Sequence, residues 1–170
     1  VSAMAVHKLE EQEVLSIDDR VADHVPEFAR HGKGEITLRQ ILCHRAGIPS
    51  VPGSMFDLDL LADPERMDAI VCDLRPTASI GGPPAYHAVV GGFVLEMVTR
   101  RTTGRSLRDV LEDEVRVPLG LERFALGVDP GDVELVAENH PTGLVSVLPL
   151  ELFFHRAVGA PWERLLRMSN

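Results

Sequence analysis

With 170 residues, 45% of them hydrophobic and 25% charged, the chain has the length and apolar content of one globular domain with a useful core. Its formal charge of −9 argues against a nucleic-acid partner, because phosphate binding needs concentrated Lys and Arg to displace counterions. No run approaches the roughly 18 apolar residues of a spanning helix, and the first residues show no charged stretch leading into an apolar one, so a cytoplasmic protein without a membrane span is the expectation.

The opening segment carries Val1, Met4, Ala5 and Leu9 at helical spacing and turns acidic at Glu10, Glu11 and Glu13. A break follows at Leu15 to Asp19, where Asp18 or Ser16 can cap a short helix with Val21 and Val25 as its apolar positions, ended by Pro26. The next boundary is written most fully. Thr37 and Gln40 have capping-box spacing, and Ile36 and Ile41 stand where a hydrophobic staple would close around them. A helix over 38–45 is expected, with Gly47 taking the left-handed conformation after it and Pro49 preventing continuation.

Residues 50–82 are punctuated by Pro and Gly and read as a loop over a site, with a short helix between Pro64 and Asp73. Met55 and Phe56 in that loop could line an apolar pocket or simply pack on their own domain; Phe56 is carried as a candidate substrate contact. After Gly81, Gly82, Pro83 and Pro84 comes Tyr86, the only tyrosine of the chain. A helix from 86 or 88 to 102 is expected, with Tyr86 on the same buried stripe as Val89, Val90, Phe93, Val94, Met97 and Val98. A phenol there would be rigid, partly shielded from water and a candidate catalytic group. Gly91 and Gly92 each cost about 1 kcal/mol relative to alanine inside a helix, which suggests close approach by another backbone.

Gly104 reads as a helix stop, and Ser106 with Asp109 as the cap of a helix bearing Leu107, Val110, Leu111 and Val115, so this pair forms an αα-hairpin. Further on, residues 124–128 suggest an edge strand before the turn at Asp129-Pro130-Gly131-Asp132, and 148–158 and 161–168 suggest two more helices, with Trp162 near the start of the second. No internal repeat or dividing linker occurs. Cys43 and Cys72 match neither a CxxC pair nor a zinc knuckle and read as reduced, partly buried thiols. His44 and His87 lack HExxH spacing, so no metal site and no cofactor are expected.

Segments in order, Ile36 to Pro49, Tyr86 to Val98, and Thr103 to Ser106 followed by Val117 to Leu121, closely resemble the serine β-lactamase and penicillin-binding-protein-like family, particularly its carboxylesterase branch, the family VIII esterases. The resemblance implies a mainly α chain: the helical lobe of the α/β serine β-lactamase-like (PBP-transpeptidase-like) fold, with at most short strands. It implies one partial domain over 1–170, the middle segment of a serine hydrolase. In that family an SxxK motif supplies the nucleophile and its lysine, a tyrosine motif assists proton transfer, and a KTG or HxG strand closes the site. Only the tyrosine motif is visible here, at Tyr86. The stretch Val1 to Leu9 is similar to the one that follows SxxK on its helix, while Ser2 has Ala5 rather than lysine three positions on and no GxSxG elbow occurs. Nucleophile and lysine are therefore expected outside the chain, and an exported origin stays open with them.

The same resemblance assigns His44, within Leu42-Cys43-His44-Arg45-Ala46-Gly47, to holding a turn rather than to catalysis. Ala88 stands where the β-lactamase YxN motif has asparagine, whose amide can bond a β-lactam side chain; a methyl group cannot. A small-molecule ester is accordingly the expected substrate, with an acyl-enzyme intermediate. A β-lactamase, a D-amino-acid peptidase or a non-catalytic helical interaction fragment are the alternatives. A lobe without its sheet would also leave an apolar face open to self-association.

Overall fold

In the first helix, α1 (Ser2–Glu11), Ala5, Val6 and Leu9 recur at helical spacing and are buried. The expected stripe was set slightly off this face: Val1 only caps the helix, and Val1 and Met4 are exposed. The computed structural model of the chain describes residues 1–51, 60, 63–87 and 89–137. It falls into two compact units, Val1–Ser50 with Glu65–Gly127 and Val51–Pro64 with Val128–Asn170.

Among its described residues the first unit holds five more α-helices, α2 (Val21–His24), α3 (Leu38–Leu42), α4 (Pro64–Asp73, which begins at the unit boundary), α5 (Val90–Thr103) and α6 (Leu107–Leu111), and α6 runs on into a π-helix, Glu112–Arg116, that buries Val115. A 3-10 stretch, Pro26–Gly32, follows α2, so Pro26 opens the next turn after stopping the last one. The apolar positions Val21 and Val25 are fully buried as their pattern predicts, but neither Asp18 nor Ser16 caps α2. The Asp23 carboxylate accepts the Arg20 backbone N–H at 3.1 Å instead, while Asp18 receives the Arg39 guanidinium at 2.6 and 2.8 Å.

Both capping boxes form. The Gln40 N–H donates to Thr37 Oγ1 at 3.3 Å and Thr37 N–H to Gln40 Oε1 at 3.1 Å, with Ile36 and Ile41 buried on either side. At α6, Asp109 N–H donates to Ser106 Oγ at 3.0 Å and Ser106 N–H to Asp109 Oδ2 at 3.2 Å. The Glu96 carboxylate on α5 also accepts the Leu107 N–H at 2.8 Å, which ties the αα-hairpin together across Gly104, left-handed at φ 72°.

The central helix is α5. It contacts α1, α2, α3 and α6 and buries Val90, Val94, Leu95, Met97 and Val98 among them. Its two glycines do not receive a neighbouring backbone, as their cost had suggested. A Cβ on Gly91 would meet the side chains of His87 and Ile41, and one on Gly92 would point into open space.

The sequence gives no warning of one core residue, Lys33, which is fully buried. Its ammonium donates to the carbonyls of Arg30 at 3.1 Å, Cys72 at 2.7 Å and Leu74 at 2.5 Å, and lies 5.1 Å from the Phe28 ring centre. A cation at the last carbonyls of α4 satisfies groups that a helix end leaves unpaired. Burial pushes its pKa below the usual lysine value.

No strand occurs among the described residues. An isolated antiparallel bridge joins Arg20 and Thr37. Residues 124–128 form irregular chain with a bend at 126–127 rather than the expected edge strand, since no second strand among the described residues offers them a ladder. In the second unit, a 3-10 helix spans Pro130–Leu135 and leaves Val133 and Leu135 exposed. The two helices expected over 148–158 and 161–168 lie outside the described residues.

Candidate functional site

The site is built on the turn that ends α3. The helix was expected to reach residue 45 and to be stopped by Gly47; it stops at Leu42, because His44 itself takes the left-handed conformation at φ 58°. Gly47 is left-handed as well, at φ 74°, and for a second reason no other residue fits there: a Cβ would sit 2.4 Å from the Ala78 carbonyl oxygen. The Gly47 carbonyl accepts the N–H groups of Thr77 at 2.9 Å and Ala78 at 3.3 Å. Next to it, the Arg45 carbonyl accepts Gly81 N–H and the Arg45 guanidinium donates to the Gly82 carbonyl, each at 2.8 Å.

This ladder delivers residues 85–87 to His44. Ala85 N–H donates to the His44 carbonyl at 2.9 Å, and His87 N–H donates to His44 Nδ1 at 3.2 Å. The His87 ring, 2% exposed, accepts the Ile48 N–H on Nε2 at 3.3 Å and faces the Ala85 carbonyl with Nδ1 in a short hydrogen bond. The two imidazoles stack at 5.8 Å with 25° between their planes. Burial holds the His87 pKa below the ordinary imidazole value, opposed by the Ala85 hydrogen bond and assisted by the charge of His44.

Tyr86 stands between these anchors, and its environment differs from the expected one. It lies outside α5, which begins at Val90, and it is 74% exposed rather than shielded on the buried stripe. The backbone on either side of it is committed to His44, so the helix cannot start there, and His87 takes the buried position in its place. The phenol ring packs edge-on against His44, at 4.7 Å between centres and 69° between planes. Among the described residues no group hydrogen-bonds its hydroxyl, which leaves that oxygen open to a reactant.

Ala88 and Phe56, the two expected substrate contacts, lie outside the described residues. The described residues contain no cluster of three or more His, Cys, Asp or Glu side chains able to hold a metal ion. No described helix is long and apolar enough to cross a membrane. Both cysteines are free; Cys43 is exposed and Cys72 buried, where both had been expected to be partly buried. Sequence reasoning missed His87 as a bonded core group and Lys33 as a buried cation. The signal available for His87 was a histidine directly after the lone tyrosine; no local signal marked Lys33.

The profile of the Beta-lactamase family matches residues 1–159 of the chain. Over 136 residues the chain is 26% identical to the Mycobacterium tuberculosis (strain ATCC 25618 / H37Rv) protein LipL, described as an esterase/beta-lactamase, covering 78% of this chain and 30% of LipL. A family VIII carboxylesterase structure superposes with a TM-score of 0.76 at 33% identity, covering 82% of this chain and 38% of the other. A penicillin-binding protein homologue from Caulobacter crescentus superposes with a TM-score of 0.73 at 30% identity, covering 84% and 38%. The chain thus spans 30% of that curated relative and 38% of each of these two structures.

Proposed function

The chain belongs to the Beta-lactamase family, and from that membership we propose that it is the middle segment of a serine carboxylesterase in which Tyr86 carries the proton of the reaction. The observation that carries the proposal is an open phenol hydroxyl on a residue whose two neighbours are fixed to the His44 turn. A general acid or base must be accessible to the reacting atom and held in place; the exposed Tyr86 side chain and its anchored neighbours support that reading.

In the proposed reaction a serine hydroxyl, supplied with its lysine by a preceding part of the protein, attacks the carbonyl carbon of a short acyl ester. The serine proton passes to the Tyr86–lysine pair as the serine C–O bond forms. Collapse of the tetrahedral adduct breaks the bond to the alkoxide, which takes that proton and leaves as the alcohol. Water then attacks the acyl-enzyme, gives its proton to the same pair, and the serine oxygen recovers it as the carboxylic acid departs. Ala88 in place of an asparagine amide favours esters over β-lactams. The 170-residue chain alone, without serine and lysine partners, is proposed to be inactive.

The test is hydrolysis of p-nitrophenyl butyrate by the longer protein that carries this segment, by its Tyr86→Phe variant and by the 170-residue chain. Tyr86→Phe should lower turnover by about two to four orders of magnitude with little change in stability, because the ring and its contact with His44 remain. Near-normal turnover by that variant would remove Tyr86 from the reaction. Robust turnover by the chain alone would show that the nucleophile lies within it. A chromogenic cephalosporin run beside the ester checks the second reading, β-lactam hydrolysis, which the description of LipL supports.

A further inference from the structure

The proposed reaction leaves His87 unused, yet both nitrogens of its buried ring are engaged with backbone groups. A neutral imidazole has one N–H and one lone pair to offer. The lone pair must be on Nε2, because that nitrogen faces the Ile48 N–H at 3.3 Å, and the proton must then be on Nδ1, which faces the Ala85 carbonyl. The opposite tautomer would set N–H against N–H and lone pair against lone pair. The imidazolium would do so at Ile48 alone. Surroundings that accept a single form of the ring make it a rigid strut.

We propose that His87 is a positioning residue for Tyr86: its buried ring, held as the Nδ1–H tautomer between the Ala85 carbonyl and the Ile48 amide, locks the residues flanking the phenol onto the His44 turn. The assignment rests on the reading of Tyr86 as the proton-carrying group. Ala85 is held through both its N–H, on the His44 carbonyl, and its carbonyl, on the His87 ring. His87 is held through its own N–H on His44 Nδ1. Behind the ring, the first turn of α5 closes the seat, since a Cβ on Gly91 would lie 3.5 Å from the His87 Cβ. The backbone at Tyr86 therefore cannot leave its place without breaking a bond on one side or the other, and this keeps the ring, itself 74% exposed, against His44 at 4.7 Å. An exposed catalytic phenol otherwise has the freedom of a surface side chain, and misplacement by about 1 Å can cost about a hundredfold in rate.

Because Tyr86 is the only tyrosine, meta-fluorotyrosine incorporated into the 170-residue chain gives one fluorine resonance that reports this position alone. Ring-nitrogen NMR of the histidine-labelled chain should find His87 as the Nδ1–H tautomer; the Nε2–H tautomer would overturn the proposal without any variant being made. His87→Phe keeps a ring and removes both hydrogen bonds. It should move the fluorine resonance toward its unfolded position while the helical circular dichroism persists. His87→Gln, whose amide oxygen can take the place of Nε2, should restore most of the folded shift. An unchanged resonance in His87→Phe would overturn the proposal, and if that variant does not fold, the tautomer decides. In the longer protein, His87→Phe should lower kcat by about a hundredfold with KM little changed. The same substitution should have almost no further effect on a Tyr86→Phe background, whereas a full additional loss there would show that His87 acts elsewhere. Should Tyr86→Phe alone leave turnover intact, the function assigned to Tyr86 falls, while the tautomer and the fluorine resonance still decide whether His87 positions it.

Discussion

The start of α6 and the junction of His44 with His87 face the same demand, backbone groups that must find partners, and meet it over different spans of chain. At α6 the partners Ser106 and Asp109 are three residues apart, and little beyond them is needed except the Glu96 carboxylate. At the junction, Ile48 bonds to a ring 39 residues away, and His44 to an amide 43 residues away. A local cap can fail alone. The junction shares its members, His44 serving Ala85, Tyr86 and His87 at once, so a fault in one contact reaches the others.

The strongest blow to the junction should come from Gly47→Ala, which places a methyl group 2.4 Å from the Ala78 carbonyl oxygen at a left-handed φ of 74°. A loss of about 3 kcal/mol or more is expected, read from the denaturant midpoint. A loss under about 1 kcal/mol would mean that residues 77–82 move aside easily and are not seated on the turn as described. Lys33→Met is next. It keeps an apolar stem in the core but deprives the carbonyls of Cys72 and Leu74 of a donor, so about 2 kcal/mol should be lost in the same measurement. An unchanged midpoint would show that water reaches those carbonyls.

Smaller effects sharpen the other side of the contrast. Thr37→Ala and Ser106→Ala should each cost about 1 kcal/mol, and the double variant should cost their sum, because the two caps share no partner. Marked non-additivity would place the caps in the same network as the junction. The smallest expected effect is in pH. With its pKa below the ordinary imidazole value in the folded chain, His87 binds a proton more readily once unfolded. Its contribution to stability is thus complete above the unfolded value of about 6.5 and is lost as pH falls through the folded one. Urea midpoints measured from about pH 7 down to about pH 5 should decline less steeply in His87→Gln than in the parent chain. Equal slopes would mean that His87 is not the group responsible.

What could be read from the sequence follows the same division. Thr37-x-x-Gln40, Ser106-x-x-Asp109 and Gly104 were legible because each signal and its partner lie within one turn of helix. The apolar face of α5 was legible for the same reason, as periodicity is a local property. Tyr86 was singled out as the lone tyrosine after two prolines and by its family motif, but its exposure and its place outside α5 were not legible. Both follow from hydrogen bonds to a turn some forty residues earlier, which no local pattern encodes. The left-handed His44 was hidden by Gly47, a better candidate on propensity that serves a different purpose, the close approach of Ala78. Lys33 was invisible because burial of a cation is decided by which carbonyls the fold brings around it.

The two thiols differ in burial and so in chemical availability. Cys43 is exposed, one residue before His44, whereas Cys72 is buried with its Sγ directed at Met97 Sδ at 3.8 Å and its carbonyl on Lys33. Burial also raises the Cys72 pKa, which keeps it in the unreactive thiol form. An alkylating reagent therefore meets Cys43 in the closed molecule and Cys72 only when the end of α4 opens. The ratio of the two labelling rates measures how often that opening occurs, a local free energy separate from that of global unfolding.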